Sequence, residues 1–398
     1  MATLARAFRA ARVAAGAAPC ARLARAPHAR GDKRAARAHL PGALRSAPRL
    51  PPHALRRPAV TSPASPAPLA RALAPGTWCL DLDFQGYAGA VAAYLLADGD
   101  DLVLVETGPG STLAALAAGM AEAGFAIEQL TGVVVTHVHL DHAGAAGAVL
   151  ARAPRATLYV HPRGAPHMID PGKLVASATR IYGEHMDRLW GAFEPVPADR
   201  VRALDDGARV PCGARVLTAL HTPGHAVHHV ALHDEDAGDV YAGDVAGVRL
   251  AGAPYVRPPT PPPDVDLDAW RASVARLRAV GARRLLLTHF GAVDDVDWHL
   301  DDLLARLFEW SGWIEGRLEA PDSDAVAVVD ALAERGRREV ARAVATLGAG
   351  ALPAGVTPAH LAAGYELATP SDMTVTGVAR WVAVRARRDA ERVAASAP

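Results

Sequence analysis

The stretch Val133-Val134-Val135-Thr136-His137-Val138-His139-Leu140-Asp141-His142-Ala143-Gly144 decides the fold, because an apolar strand in it opens directly into four metal-ligand side chains. On extended backbone alternate side chains share a face, so His137 and His139 point the same way. Asp141 and His142 turn toward a neighbouring point as the chain bends into a helix. Neutral imidazole and carboxylate are the donors that zinc and other first-row divalent ions prefer. A polar loop after a buried strand would account for one histidine, but not for three histidines and an aspartate at this spacing. The pattern suits two adjacent cations.

Around this stretch the chain has 398 residues and a formal net charge of zero, long for a single domain without appendages. The charge is unevenly placed. Residues 1–75 hold thirteen Arg and one Lys against a single acid, Asp32, for a net +13, so the remainder carries −13. An acidic body argues against a nucleic-acid partner. Cys20, Cys79 and Cys212 lie far apart without CxxC spacing, so neither a disulfide framework nor a cysteine zinc site is expected, and a reducing, cytoplasmic setting is. No apolar run has the length of a membrane span, so no membrane partner is expected either.

Residues 1–75, rich in Ala, Arg and Pro, read as a disordered leader. Its arginines and lack of acids fit a targeting presequence, but serine is scarce, which favours a plain unstructured extension. Strands are expected over Trp78–Phe84, Ala90–Ala97 and Leu102–Val105, the last ending in Glu106-Thr107-Gly108-Pro109-Gly110, a tight turn without the Gly-Lys-Ser/Thr ending of a phosphate loop. A helix follows to about Gly124, then the opening stretch, a helix over Ala143–Ala153 and a strand over Ala156–Val160. Residues 161–200 interrupt the rhythm with Leu174, Ala178, Ile181, Tyr182, Met186, Leu189, Trp190 and Phe193 at helical spacing. Such a stripe is core by default, with a substrate lid or a dimer contact as the second reading. Further strands are expected at Arg215–Leu220, His229–His233, Asp239–Tyr241 and Arg284–Leu287. The run Pro258 to Pro263 reads as a rigid surface turn. Helices over Val296–Arg317, Ser323–Leu347 and Asp372–Ala394 form a C-terminal appendage.

Strand ends keep presenting ligand types: after His137, His139, Asp141 and His142 come His225, Asp244 and His289. The pieces Thr-His-Val-His-Leu-Asp-His-Ala-Gly, His-Thr-Pro-Gly-His, Gly-Asp and Thr-His, in this order over about Trp78 to Trp310, resemble the metallo-β-lactamase-fold hydrolase superfamily, in detail its glyoxalase II-like branch. The resemblance implies an α/β fold, an αββα sandwich spanning residues 76–314, followed by the helical extension 315–398. It implies a dinuclear site in which His137, His139 and His225 hold one metal, Asp141, His142 and His289 the other, and Asp244 bridges them. A hydroxide between two divalent ions, zinc first with iron or manganese as alternatives, would be the nucleophile; Asp141 and Asp244 are the catalytic candidates.

Around that set, Glu106 stands where the superfamily has aspartate, one methylene longer, and His221 is expected to support the turn that presents His225. Tyr182, Arg249, Tyr255 and Arg257 are candidates for substrate contact, and His161 and His167 for lining the pocket. His228, His229 and His233 read as structural or surface residues. The expected activity is hydrolysis of an ester, thioester or lactone in a small molecule. The alternative is a mononuclear iron dioxygenase of a sulfur substrate, which needs only two histidines and one aspartate. The insertion at 161–200 and the C-terminal helices are the candidate surfaces for a homodimer.

Overall fold

A computed structural model describes residues 68–396 apart from 349 and 351. Most of the expected disordered leader therefore lies outside the described residues. Its last part does not behave as expected: Ala70–Ala74 is a strand, β1, paired antiparallel with β2 (Thr77–Asp81) so that Ala70 faces Leu80. Its Ala and Arg content matches the leader's, so composition concealed it.

The remaining strands of the first sheet are β3 (Ala92–Asp98), β4 (Asp101–Val105), β5 (Gly132–Val134), β6 (Thr157–Val160) and β7 (Val201–Ala203), lying in chain order. From β1 to β4 the sheet is an antiparallel meander; from β4 to β7 it runs parallel. The second sheet consists of β8 (Arg209–Cys212), β9 (Arg215–His221), β10 (Val230–Asp234), β11 (Asp239–Tyr241), β12 (Arg284–Leu287) and β13 (Gly291–Val293), in spatial order from β13 down to β8.

Side-chain alternation along these strands builds the layers. Ala93 and Leu95 of β3 and Leu102 and Leu104 of β4 join a core with Leu116 and Met120 of α1 (Leu113–Glu122) and, beyond the short α2 (Leu140–Ala143), with Val149 and Leu150 of α3 (Ala146–Arg152). Tyr94, Leu96, Val103 and Val105 point the other way and pack with Val230, Leu232 and Leu286 between the sheets. The expected helical insertion is present as α4 (Ala165–Ile169), α5 (Gly172–Tyr182) and α6 (Met186–Trp190). On the far side Ala231, Leu285 and Leu287 lie under α7 (Leu267–Ala279) and α8 (Val296–Leu318), closing an αββα sandwich. No helix among the described residues is long and apolar enough to cross a membrane.

The appendage contains α9 (Ala325–Ala345), α10 (Pro358–Ala368) and α11 (Ser371–Ser396). Here α10 is an addition to the expected helices. Its start signals were in the sequence, since Thr357 caps the His360 N–H at 3.1 Å and Pro358 opens the helix. They were hidden because the stretch is short and bracketed by prolines. The expected boundary at 314 falls inside α8, which is shared by sandwich and appendage.

Arg257 ties the two together. This buried guanidinium pairs with Glu366 at 2.8 Å, donates to Ser371 Oγ at 3.0 Å and lies over the Trp310 ring, its centre 5.0 Å from the ring centroid. The Tyr365 hydroxyl donates to the Tyr255 carbonyl at 2.8 Å and accepts from the Leu250 N–H at 3.1 Å. Gly377 on α11 presses on the Thr260 carbonyl so closely that no Cβ would fit.

Arg257→Ala removes one partner of a largely buried pair, and the expected loss in unfolding free energy is about 3 kcal/mol by denaturant titration. Arg337→Ala, which breaks an exposed pair with Glu334 on α9, is expected to leave the midpoint unchanged.

Candidate metal centre

All seven expected ligand residues meet where the two sheets end side by side. His137, His139, Asp141 and His142 follow β5, His225 follows β9, Asp244 follows β11 and His289 follows β12. Two sets of donor atoms form. In the first, His137 Nε2 and His225 Nε2 are each 2.9 Å from His139 Nδ1 and 3.1 Å from one another, with Asp244 Oδ2 3.3 Å from His225. In the second, Asp244 Oδ1 lies 3.3 Å from His142 Nε2 and 3.5 Å from His289 Nε2, and Asp141 Oδ2 is 3.4 Å from His289 Nε2. Asp244 thus turns one oxygen to each set.

Hydrogen bonds at the far side of each ring fix which nitrogen faces inward. His225 Nδ1–H donates to the Pro259 carbonyl and His289 Nδ1–H to the Ala90 carbonyl, both at 2.8 Å. His142 Nδ1–H donates to Glu106 Oε1 at 3.0 Å. The Thr136 hydroxyl donates to the same Glu106 oxygen at 2.5 Å, leaving its own oxygen to accept from His137 Nδ1–H at 3.1 Å. The inward Nε2 atoms of His137 and His225 are therefore bare lone pairs, 3.1 Å apart. A proton on His139 Nδ1, 2.9 Å from each, can serve only one of these acceptors at a time, whereas a cation between the three nitrogens satisfies all of them. His142 Nε2 and Asp244 Oδ1 are likewise buried with no hydrogen-bond partner, although buried polar atoms are nearly always satisfied. An ion bound at about 2.0–2.1 Å in tetrahedral geometry needs ligand edges of about 3.3 Å, and the observed separations fit it.

The charges agree. Burial, then the neighbouring His142 and His139, hold His137 well below its usual range, and burial and His225 do so for His139, so both offer neutral nitrogen donors at pH 7. Burial opposes charge on Asp141, but His142 and His289 outweigh it and bring its pKa to about 2. For His142 burial is outweighed by Asp244, Glu106 and Asp141, which push it well above its usual range. Without a cation these carboxylates therefore draw a proton onto His142, which a metal ion binding at the second set would displace.

Glu106, the lengthened acid, sits at a positive φ of 66° and is fully buried. Besides His142 and Thr136 it accepts weakly from Thr288 Oγ1 at 3.4 Å, so one carboxylate orients three side chains beyond two strands, β5 and β12. His229, expected to be structural or surface rather than a ligand, is fully buried and positions the bridge: its Nε2 accepts the Asp244 N–H at 3.1 Å while Nδ1–H donates to Thr222 Oγ1 at 2.8 Å. The available signal was its place at the mouth of β10, just after His225. Gly243, at φ 52°, leaves room for this pair, since a Cβ there would lie 2.7 Å from His229 Nε2.

Above the centre lies a cavity of about 520 Å³. Tyr182 lines it, half-buried and edge-on to Trp190, as do His167 and His228. Tyr255 and Arg257 do not line it. Their bulk is taken up by the junction with the appendage, where Arg306 covers the Tyr255 ring. Arg249 is committed to Asp295 and the Ala253 carbonyl. His221 donates to the Leu204 carbonyl at 3.0 Å and faces His161 rather than His225. The proline run is no surface turn: Pro258 to Thr260 are buried, and Pro259 to Pro263 wall the cavity, because His225 and Gly377 both press on this loop.

Comparison with known proteins agrees with this geometry. The family model described as the metallo-beta-lactamase superfamily matches residues 86–289, about half of the chain. An acyl-coenzyme A thioesterase of Homo sapiens is 30% identical over 137 residues, 31% of this chain and 45% of that protein. A hydroxyacylglutathione hydrolase of Aeromonas hydrophila is 28% identical over 116 residues, 29% of this chain and 33% of its own. The chain thus spans less than half the length of either relative. Among solved structures, a metallo-beta-lactamase family protein from Thermus thermophilus superposes with a TM-score of 0.52 at 25% identity, over 61% of this chain and 83% of that one.

Glu106→Gln keeps the shape but removes the charge that orders His142 and Thr136. Chelator competition is expected to show metal affinity reduced by about 10- to 100-fold, with the folded far-ultraviolet circular dichroism spectrum retained.

Proposed function

The chain belongs to the metallo-beta-lactamase superfamily, and from that premise we propose that it is a dinuclear metal-dependent hydrolase of a small-molecule ester, thioester or lactone. The observation that carries the reading is Asp244, whose two oxygens address two complete donor sets. Two divalent ions held there, zinc first by donor type and iron or manganese as alternatives, supply a water nucleophile at neutral pH and polarise the carbonyl under attack.

The chain does the rest. Asp141 is 20% exposed on its side chain and opens into the cavity, where its ionised carboxylate accepts a hydrogen from a water and aims its lone pair at the substrate carbon. Asp244 holds the two sets in register, and His229 holds Asp244 by its backbone. A dioxygenase would need only two histidines and one aspartate. Asp141, His142 and His289 complete a second set, which favours hydrolysis. The two relatives named above, a thioesterase and a hydrolase, support the same reading.

The test is a panel of thioesters, lactones and aryl esters on metal-loaded protein. Turnover of at least one class is expected, reduced by about 10³-fold or more in Asp244→Ala together with bound metal. Inactivity across the panel with oxygen uptake on a persulfide would replace hydrolysis by the dioxygenase.

A further inference from the structure

The helix α11 lies well beyond residue 289, where the match to the superfamily ends, yet it is fastened to the loop that supports a metal ligand. His225 donates its Nδ1–H to the Pro259 carbonyl. At the far end of the same loop the Asp266 N–H donates to the Gly224 carbonyl at 2.8 Å. Trp270, which follows on α7, stands edge-on to the His225 ring with centroids 5.8 Å apart. Residues 257–266 and the start of α7 thus hold His225 from both sides. Five residues of this loop, Pro258, Pro259, Pro261, Pro262 and Pro263, have no N–H to donate, so the loop depends on outside contacts to fix its carbonyls.

The outside contacts come from α11, in order along the loop. Arg257 donates to Ser371 Oγ at 3.0 Å. Gly377 presses its backbone on the Thr260 carbonyl and on Pro261, where a Cβ would collide. Arg380 Nε–H donates to the Pro263 carbonyl at 3.0 Å, and Arg388 pairs with Asp266 at 3.2 Å. Gly377, Arg380 and Arg388 fall on one helical face. These contacts are not what anchors the helix, because Val375, Val378 and Val382 already bury α11 in the appendage core beside Trp310 and Ile314. His137, by contrast, is held by Thr136 within the sandwich.

We propose that α11 is a positioning element for the first donor set: by splinting residues 257–266 it fixes the Pro259 carbonyl and thereby His225, so that docking of α11 and cation binding at that set strengthen one another. The inference rests on the metal centre of the reading above and not on hydrolysis. Coupling between two events in one protein is reciprocal. A cation that holds His225 in place therefore protects α11 from opening, and loosening α11 weakens the cation.

Hydrogen–deuterium exchange of the full chain, with zinc added back to metal-stripped protein, reads the first direction. Zinc is expected to slow exchange over residues 371–380 by about threefold or more. The slowing is expected to vanish in His139→Ala, which breaks the first set and leaves the second complete. Calorimetric zinc titration reads the other direction. In the His142→Ala background, where only the first set is complete, Gly377→Ala is expected to weaken binding about tenfold. Should that variant fail to fold, Arg380→Ala carries the test: it removes an exposed side chain and is expected to weaken zinc about twofold or more. Zinc bound without slowed exchange in α11, slowing retained in His139→Ala, or unchanged zinc affinity in the folded variants overturns the proposal. Absence of zinc binding removes the metal centre and the coupling together. Protein that binds zinc and shows the coupling but hydrolyses nothing loses only the hydrolase reading.

Discussion

The constraint on which this structure turns is the convergence of lone pairs that cannot satisfy one another. His137 Nε2 and His225 Nε2 face each other at 3.1 Å with their protons fixed on the opposite nitrogens. Asp244 Oδ1 and His142 Nε2 are buried without a partner. Holding such atoms together is unfavourable for the protein alone, so the surroundings must be rigid. That is why each ligand sits immediately beyond a strand or on a short turn, and why Glu106, Thr136, Thr222, His229 and two backbone carbonyls lock the rings from behind. Cation binding offsets this cost, because its free energy becomes part of the folded state.

Much of this was legible in the sequence, for a physical reason. Divalent metals draw their ligands from a short list of side chains, His and Asp among them, and a fold that presents these from strand ends leaves them as short polar breaks after apolar runs; His137 to His142, His225, Asp244 and His289 all carry that signature. The strands with clean alternation, such as those around Leu95 and Leu104, were equally plain. What stayed hidden were features set by tertiary contact. Ala70–Ala74 is a strand only because β2 lies beside it. His229 looks like any strand histidine until Asp244 folds against it. Tyr255 and Arg257 follow the bridging aspartate closely in sequence, but the chain turns them into the helical junction, where Trp310, Glu366 and Ser371 consume them.

The proline run shows the same limit. Its composition is that of an exposed turn, yet its Pro259 carbonyl orients His225, and α11 is pressed onto Thr260. The appendage therefore reaches the metal centre through one loop, and through Leu367 to Thr374 it also forms a cavity wall. The insertion α4 to α6 supplies the facing wall. The sandwich positions the candidate metal centre, while these two additions line the cavity above it.

The central claim is that seven side chains form two cation sites sharing Asp244. Zinc titration of metal-stripped protein by calorimetry tests it directly, with His142→Ala beside the wild type. Two ions per chain are expected for the wild type and one for the variant, whose first donor set is intact. A single site in the wild type, or two in the variant, would contradict the account.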